Sequence, residues 1–224
     1  MRMIQIALAL VFLLASLTAQ TFEFKSLSGL TPVNVKTELA AYRGRPAIRL
    51  VDDPNRAPSP AGAGHAMAVL SGSDFEDGTI EADLAGAPRS GAGEAARGFV
   101  GIAFHIQPDG SHFECFYLRP TNGRADDQLR RNHSTQYTSE PDFPWQRLRS
   151  QNPGVYESYT DLEPEVWTAM KIVVSGTHAK LYVNGATQPC LIVNDLKLGK
   201  THGKVALWIG ADTDGHFSRV TLKK

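Results

Sequence analysis

The chain has 224 residues, 42% of them hydrophobic, and its 23 basic and 23 acidic side chains cancel to a net charge of zero. That balance leaves no general electrostatic footprint for nucleic acid or for an anionic membrane surface, so neither is an expected partner. A chain of this length buries a core of its own without covalent staples.

At the N-terminus, Met1-Arg2-Met3 supplies a positive start, and 4–17 is an apolar run without charge. Ala15, Ser16, Thr18 and Ala19 are small residues suited to signal peptidase. The run is short for a bilayer span and polar sequence follows it. Residues 1–19 therefore read as a secretory signal cleaved near Ala19-Gln20, with a retained anchor as the alternative. No cysteine follows the run to carry a lipid. The remainder, 20–224, is expected to be one exported domain, periplasmic or extracellular.

Short strand-like segments follow, separated by Gly, Pro, Asn and Asp clusters. They fall at 22–24, 47–51, 66–70 and 78–84, with loops at 52–64 and 85–96. In 98–106, Val100, Ile102, Phe104 and Ile106 share one face, and Phe99, Gly101, Ala103 and His105 share the other. Asp109-Gly110 reads as a hairpin turn. The returning strand, 112–119, sets Phe116 and Leu118 on one face and Phe113, Cys115, Tyr117 and Arg119 on the other. The last third repeats the pattern. Met170, Ile172 and Val174 alternate in 167–175, and the chain turns at Gly176-Thr177-His178. Leu181 and Val183 follow in 179–184, then Val205, Leu207 and Ile209, and finally 217–222. The fold class is all-β, an antiparallel β-sandwich. Helical turns are expected only at 34–42 and 126–131.

Between the two hairpins lies a long polar and aromatic stretch, 120–165, treated as an insertion. A connection this long is functional or contains further strands, here expected at 134–138 and 155–160. Cys115 and Cys190 either pair, as export permits, or stay apart, with Cys115 a small buried residue.

WTAMKIVVSGTHAKLYVNG, at 167–185, resembles the hairpin common to laminin-G-like and concanavalin A-like domains. FEDGTIEADL (75–84) resembles an earlier strand of that superfamily, and GKVALWIGADTDGHFSRVTLKK (203–224) its closing strands. The resemblance implies a jelly-roll sandwich. Within the superfamily the likeness is nearest to bacterial exported domains of the keto-disaccharide hydrolase-like kind, which implies a glycan-related role. A fold of this breadth hosts lectins, glycosidases, lyases and adhesion modules alike.

Laminarinase-type glucanases of the superfamily carry Glu-x-Asp-x-x-Glu along one strand, which sets an acid and a nucleophile in one cleft. Here Glu81 and Asp83 supply the first two positions, but Gly86 stands at the third, so that activity is not expected. A better candidate is the sheet face carrying His105, Tyr117 and Arg119, joined by insertion residues Asp126, Asp127, Gln128, Arg130, Arg131, His133, Gln136, Tyr137 and Trp145. Planar bidentate groups hydrogen-bond vicinal hydroxyls and aromatic rings cover apolar sugar faces, so carbohydrate is the expected partner. The alternative is a salt-bridge and aromatic network that pins the insertion to the sheet. His105 and His133 with Asp126 or Glu114 are a weaker metal or acid–base set, lacking tight ligand spacing. Asp212 and Asp214 are candidate calcium ligands, the alternative being a solvated acidic turn. No other cofactor is expected. Three readings remain open: a carbohydrate-binding domain, a glycoside hydrolase, and a structural or adhesion domain of the cell envelope.

Overall fold

The computed structural model describes residues 19–55 and 65–224. The apolar N-terminal run and most of the 52–64 loop lie outside the described residues. In chain order the strands begin with β1 (Ala19–Glu23), β2 (Leu30–Val33), β3 (Val35–Tyr42), β4 (Arg45–Asp52) and β5 (Ala66–Leu70). Next come β6 (Gly78–Pro88), β7 (Val100–Ile106), β8 (Phe113–Leu118), β9 (Thr135–Glu140) and β10 (Glu157–Ser158). The set closes with β11 (Thr168–Ser175), β12 (His178–Val183), β13 (Leu191–Val193), β14 (Lys204–Ile209) and β15 (Thr213–Lys223). Two short helices, α1 (Gln128–Asn132) and α2 (Trp145–Gln151), flank β9.

The strands form the expected antiparallel sandwich. One sheet runs β13-β12-β11-β6-β15-β4-β3, with β1 also alongside β15. The other runs β10-β9-β8-β7-β14-β5-β2. Alternation builds the core between them. On β11, Met170, Ile172 and Val174 are buried while Ala169 and Ser175 are exposed. Opposite them, Val100, Ile102 and Phe104 on β7 and Phe116 and Leu118 on β8 join the same cluster. Each such side chain contributes about 1.5–3 kcal/mol on leaving water.

One expectation is corrected. Residues 34–42 form strand β3, not helix. Helix-favouring residues such as Glu38, Leu39, Ala40 and Ala41 are overridden by pairing with β4 across Arg43-Gly44. Both turn residues have positive φ, 47° and 78°, which suits the twist of a two-residue hairpin. The 120–165 segment contains the strands expected within it and is not laid over the sheet face. It extends the sheet: β9 pairs with β8, and β10 pairs with β9. Of its two α-helices only α1, capped by the Asp127 side chain on Arg130 N–H at 2.9 Å, was expected. Of the two alternatives for Cys115 and Cys190, the structure has them apart: both are free thiols, one on β8 and one just before β13 in the opposite sheet.

Candidate functional site

The outer face of the second sheet, turned away from the core, carries the side chains that alternation predicts for Tyr117 and Arg119. Strand register aligns Met67, Trp208, Gly101, Tyr117, Gln136 and Glu157 in one row across five pairings. Gly101 is the gap in that row. A Cβ there would lie 2.3 Å from the Phe116 carbonyl oxygen, and its absence lets the Tyr117 and Trp208 rings approach to 4.8 Å.

At one end of this row a cleft of about 330 Å³ opens. It is lined by Ala95, Arg97, Phe99, Arg119, Asn122, Arg130, His133, Trp145 and Arg149. Four of the twelve sequence candidates meet here: Arg119, Arg130, His133 and Trp145. Tyr117 and Gln136 stand directly behind them. Arg119 is 5% exposed, and its guanidinium donates to Tyr117 Oη at 3.1 Å, Gln136 Oε1 at 3.0 Å and the His133 carbonyl at 2.9 Å. The same guanidinium lies 5.1 Å from the Tyr117 ring centroid and 5.9 Å from that of Phe99. Burial pushes the Tyr117 hydroxyl up to about 12, so it stays a neutral phenol.

The remaining candidates lie elsewhere. Asp126 and Gln128 are exposed and do not line the cleft, and Gln128 Nε2 donates to Asn132 Oδ1 within α1. His105 and Tyr137 do not face outward; both are fully buried. On β7 the register slips at a bulge opposite Lys204 and Ala206, and His105 takes a left-handed φ of 53°. The slip reverses its direction. His105 stacks on Phe75, approaches the Glu76 carbonyl at 2.9 Å, and is held below the ordinary histidine range by burial. Tyr137 neighbours Gln136 on a strand, so the two cannot share a face. Gln136 points to the outer face, and Tyr137 enters the core, where its hydroxyl bonds Glu114. The proposed association of His105, His133, Asp126 and Glu114 is therefore dispersed.

His133 and Arg149 converge on Glu157, whose side chain is only 3% exposed. Arg149 grips it from Nε and Nη2 at 2.7 to 3.1 Å. His133 Nδ1 is 2.8 Å from Glu157 Oε2 but out of line for a hydrogen bond, so that contact is proximity rather than a directed bond. Burial lowers the His133 pKa, against the attraction of Glu157 and with the help of Arg149 and Arg119. Asn122 donates through Nδ2 to the His133 carbonyl, while its buried Oδ1 has no partner among the described residues. Trp145 is 38% exposed, with the Arg149 guanidinium 4.6 Å from its ring centroid.

Arg97, Phe99, Asn122 and Arg149 are cleft residues that sequence reasoning did not select. Phe99 was on the outward side of its strand pattern, and that was its signal. Arg97 comes from the loop before β7 and Arg149 from α2, neither of which has a local pattern that points at the cleft.

No protein-family model and no curated protein matches the sequence. Solved structures match in fold. The carbohydrate-binding module CBM66 from Bacillus subtilis aligns over 87% of this chain and 95% of its own, at 15% identity and a TM-score of 0.58. A protein of unknown function with a galectin-like fold, also from Bacillus subtilis, covers 91% and 94% at 11% identity and a TM-score of 0.57. A prokaryotic β-1,3-1,4-glucanase from a mouse hindgut metagenome covers 92% and 98% at 14% identity and a TM-score of 0.54. The chain is an antiparallel jelly roll. At these identities the likeness shows the fold alone.

Within the jelly roll the glucanase-like positions are otherwise engaged. Glu81 accepts from Lys223 Nζ at 2.7 Å, and Asp83 lies 3.7 Å from Arg45 and 3.6 Å from Arg219, all in the first sheet. Gly86 has no room for an acid, since a Cβ there would lie 2.4 Å from the Gly98 carbonyl oxygen. Asp214 is held by Arg49 at 2.7 and 2.8 Å, and Asp212 lies 3.3 Å from Arg89, so both candidate calcium ligands face guanidinium. Among the described residues there is no group of three or more His, Cys, Asp or Glu that could hold a metal, and no helix long and apolar enough to cross a membrane.

Proposed function

We propose that the chain is an exported carbohydrate-binding β-sandwich, and that it holds its glycan in the cleft bounded by Phe99, Arg119, His133 and Trp145. One observation carries this reading. An exposed indole and planar guanidinium donors line a single cleft of about 330 Å³. The indole offers a flat apolar surface for a sugar ring. The guanidiniums donate to hydroxyls around it. A volume of this size suits one or two sugar residues rather than a long chain. The fold shared with a carbohydrate-binding module and a glucanase agrees with a glycan partner, and the apolar N-terminal run agrees with export.

Binding is favoured over hydrolysis because no carboxylate lines the cleft. The nearest, Glu157, is buried and held by Arg149, so the pair of acids that glycoside hydrolysis needs is lacking there. The decisive experiment is a glycan array followed by calorimetry on the wild type and Trp145→Ala. Binding is expected in the micromolar to millimolar range, and loss of the indole is expected to weaken it about tenfold, or about 1.4 kcal/mol. Absence of binding across plant, bacterial and host glycans would overturn the reading.

The keto-disaccharide hydrolase-like alternative rests on His133 beside Glu157 at the cleft wall. It requires product release from an oxidised or ordinary disaccharide, abolished in His133→Gln with binding retained. Capture of a protein partner without glycan would favour the adhesion reading instead.

A further inference from the structure

The cleft concentrates arginine without the carboxylates that accompany it elsewhere. Arg97, Arg119, Arg130 and Arg149 all line it. Several arginines on the rest of the sandwich find acids: Arg43 pairs with Glu165, Arg49 with Asp214 and Arg124 with Asp161. In the cleft only Arg149 has an acidic partner among the described residues, Glu157. Arg119 is 5% exposed, yet its bonds go to a phenol, an amide and a carbonyl, all of them neutral. Arg97 donates to the carbonyls of Glu94 and Ala96. Burial lowers the Arg97 pKa, and the like charges of Arg130 and Arg119 lower it further, against a smaller opposing pull from the Glu94 carboxylate outside the cleft lining. Arg119 and Arg130 thus press like charge on Arg97, around a cleft that no carboxylate of its own lining neutralises. A buried charge left this way is costly, and an anion entering the cleft removes that cost.

We propose that the glycan taken by this cleft is acidic, a sugar bearing an oxyanion as a uronate carboxylate or a sulfate ester. The inference rests on the glycan-binding reading above and specifies its ligand. A guanidinium fork matches the paired oxygens of either group and distinguishes them from a hydroxyl by charge. Trp145 remains available for the sugar ring.

The test is calorimetry with three probes: tetragalacturonate, its methyl ester, and a sulfated galactan tetrasaccharide. The ester keeps the carbohydrate skeleton and removes the charge. At low salt the acid or the sulfated probe is expected to bind at least tenfold more tightly than the ester. That gap should shrink as salt rises and the Debye length falls from about 30 Å at 0.01 M to about 3 Å at 1 M. Arg130→Gln, at an exposed position on α1, should narrow the gap several-fold. Arg147→Gln removes the same charge from outside the cleft and should leave it unchanged. Whichever charged probe binds more tightly identifies the oxyanion. Affinity for the ester that equals the affinity for both charged probes, or a gap that Arg130→Gln does not alter, overturns the acidic ligand while glycan binding stands. If none of the three probes binds and the array is also blank, the glycan-binding reading falls and this inference falls with it.

Discussion

Glu114 is a carboxyl group in the core. It lies on β8 with no exposed surface, accepts from the Tyr137 hydroxyl, and accepts from the Leu198 N–H at 2.8 Å. Burial pushes its pKa from 4.5 up to about 7, against the pull of those two hydrogen bonds. The neutral acid is thus the form that the fold prefers. Between pH 4.5 and 7 the folded protein keeps a proton that the unfolded chain has released. The associated stability is fully present below about pH 4.5 and is lost as pH rises through about 7. At about 1.4 kcal/mol per pH unit, that loss amounts to about 3 kcal/mol. Glu114→Gln removes the ionisation while keeping an acceptor oxygen for Leu198. Guanidinium unfolding of both proteins at several pH values between 4 and 8 gives the difference in stability. That difference is expected to move about 3 kcal/mol in favour of the variant from the acid to the alkaline end. His65, His105, His133 and His216 are all held below the ordinary histidine range by burial, so they lose stability in the opposite, acid direction. They are common to both proteins and cancel in the difference. A difference that stays flat across the range means that Glu114 ionises in the fold as it does in the unfolded chain, and the reasoning fails.

Arg149→Met leaves the buried Glu157 carboxylate with only the misaligned His133, and is expected to cost about 3 kcal/mol in chemical denaturation; an unchanged midpoint would show that Glu157 needs no cation. Gly98→Ala, at a φ of 67° and with a Cβ 2.7 Å from Ala87 Cα, is expected to lower Tm by roughly 5–10 °C, because it forces apart two backbones that meet there. Since Gly98 sits between Arg97 and Phe99, the variant should also weaken glycan binding, and a calorimetric titration indistinguishable from wild type would refute that link.

The sandwich was legible because period-two alternation survives wherever one face of a strand meets the core. Met170, Ile172 and Val174 are such a set, and Val100, Ile102 and Phe104 another. The outward direction of Tyr117 and Arg119 followed from Phe116 and Leu118 being inside. His105 was not legible in this way, because the bulge consumes a residue without changing the hydrophobic pattern around it. Tyr137 failed for a different reason. Gln136-Tyr137-Thr138 contains too few apolar residues to set a phase, so only the pairing of Phe116 with Tyr137 and Tyr117 with Gln136 assigns their faces. β3 was misread because its local preference and its tertiary pairing disagree.

The cleft forms where that alternation runs out. Arg119 is the first residue beyond the end of β8, and its N–H still bonds the Ser134 carbonyl at 2.8 Å. Pro120 has no N–H to continue the ladder, so the chain leaves the sheet in the short turn that holds Asn122. It returns through α1, bringing Arg130 and His133, before re-entering as β9. One excursion between two paired strands thus surrounds the Arg119 guanidinium on the insertion side. The backbone of Thr121 accepts no freedom there either, since its N–H reaches the Arg97 carbonyl at 3.4 Å and ties the loop before β7 to the opposite wall. Arg119 is therefore both the last alternating residue of the sheet and the floor of the cleft. Its burial follows from backbone connections rather than from a charge partner. A guanidinium held in this way, by neutral acceptors on a rigid sheet edge, keeps its charge available to whatever enters.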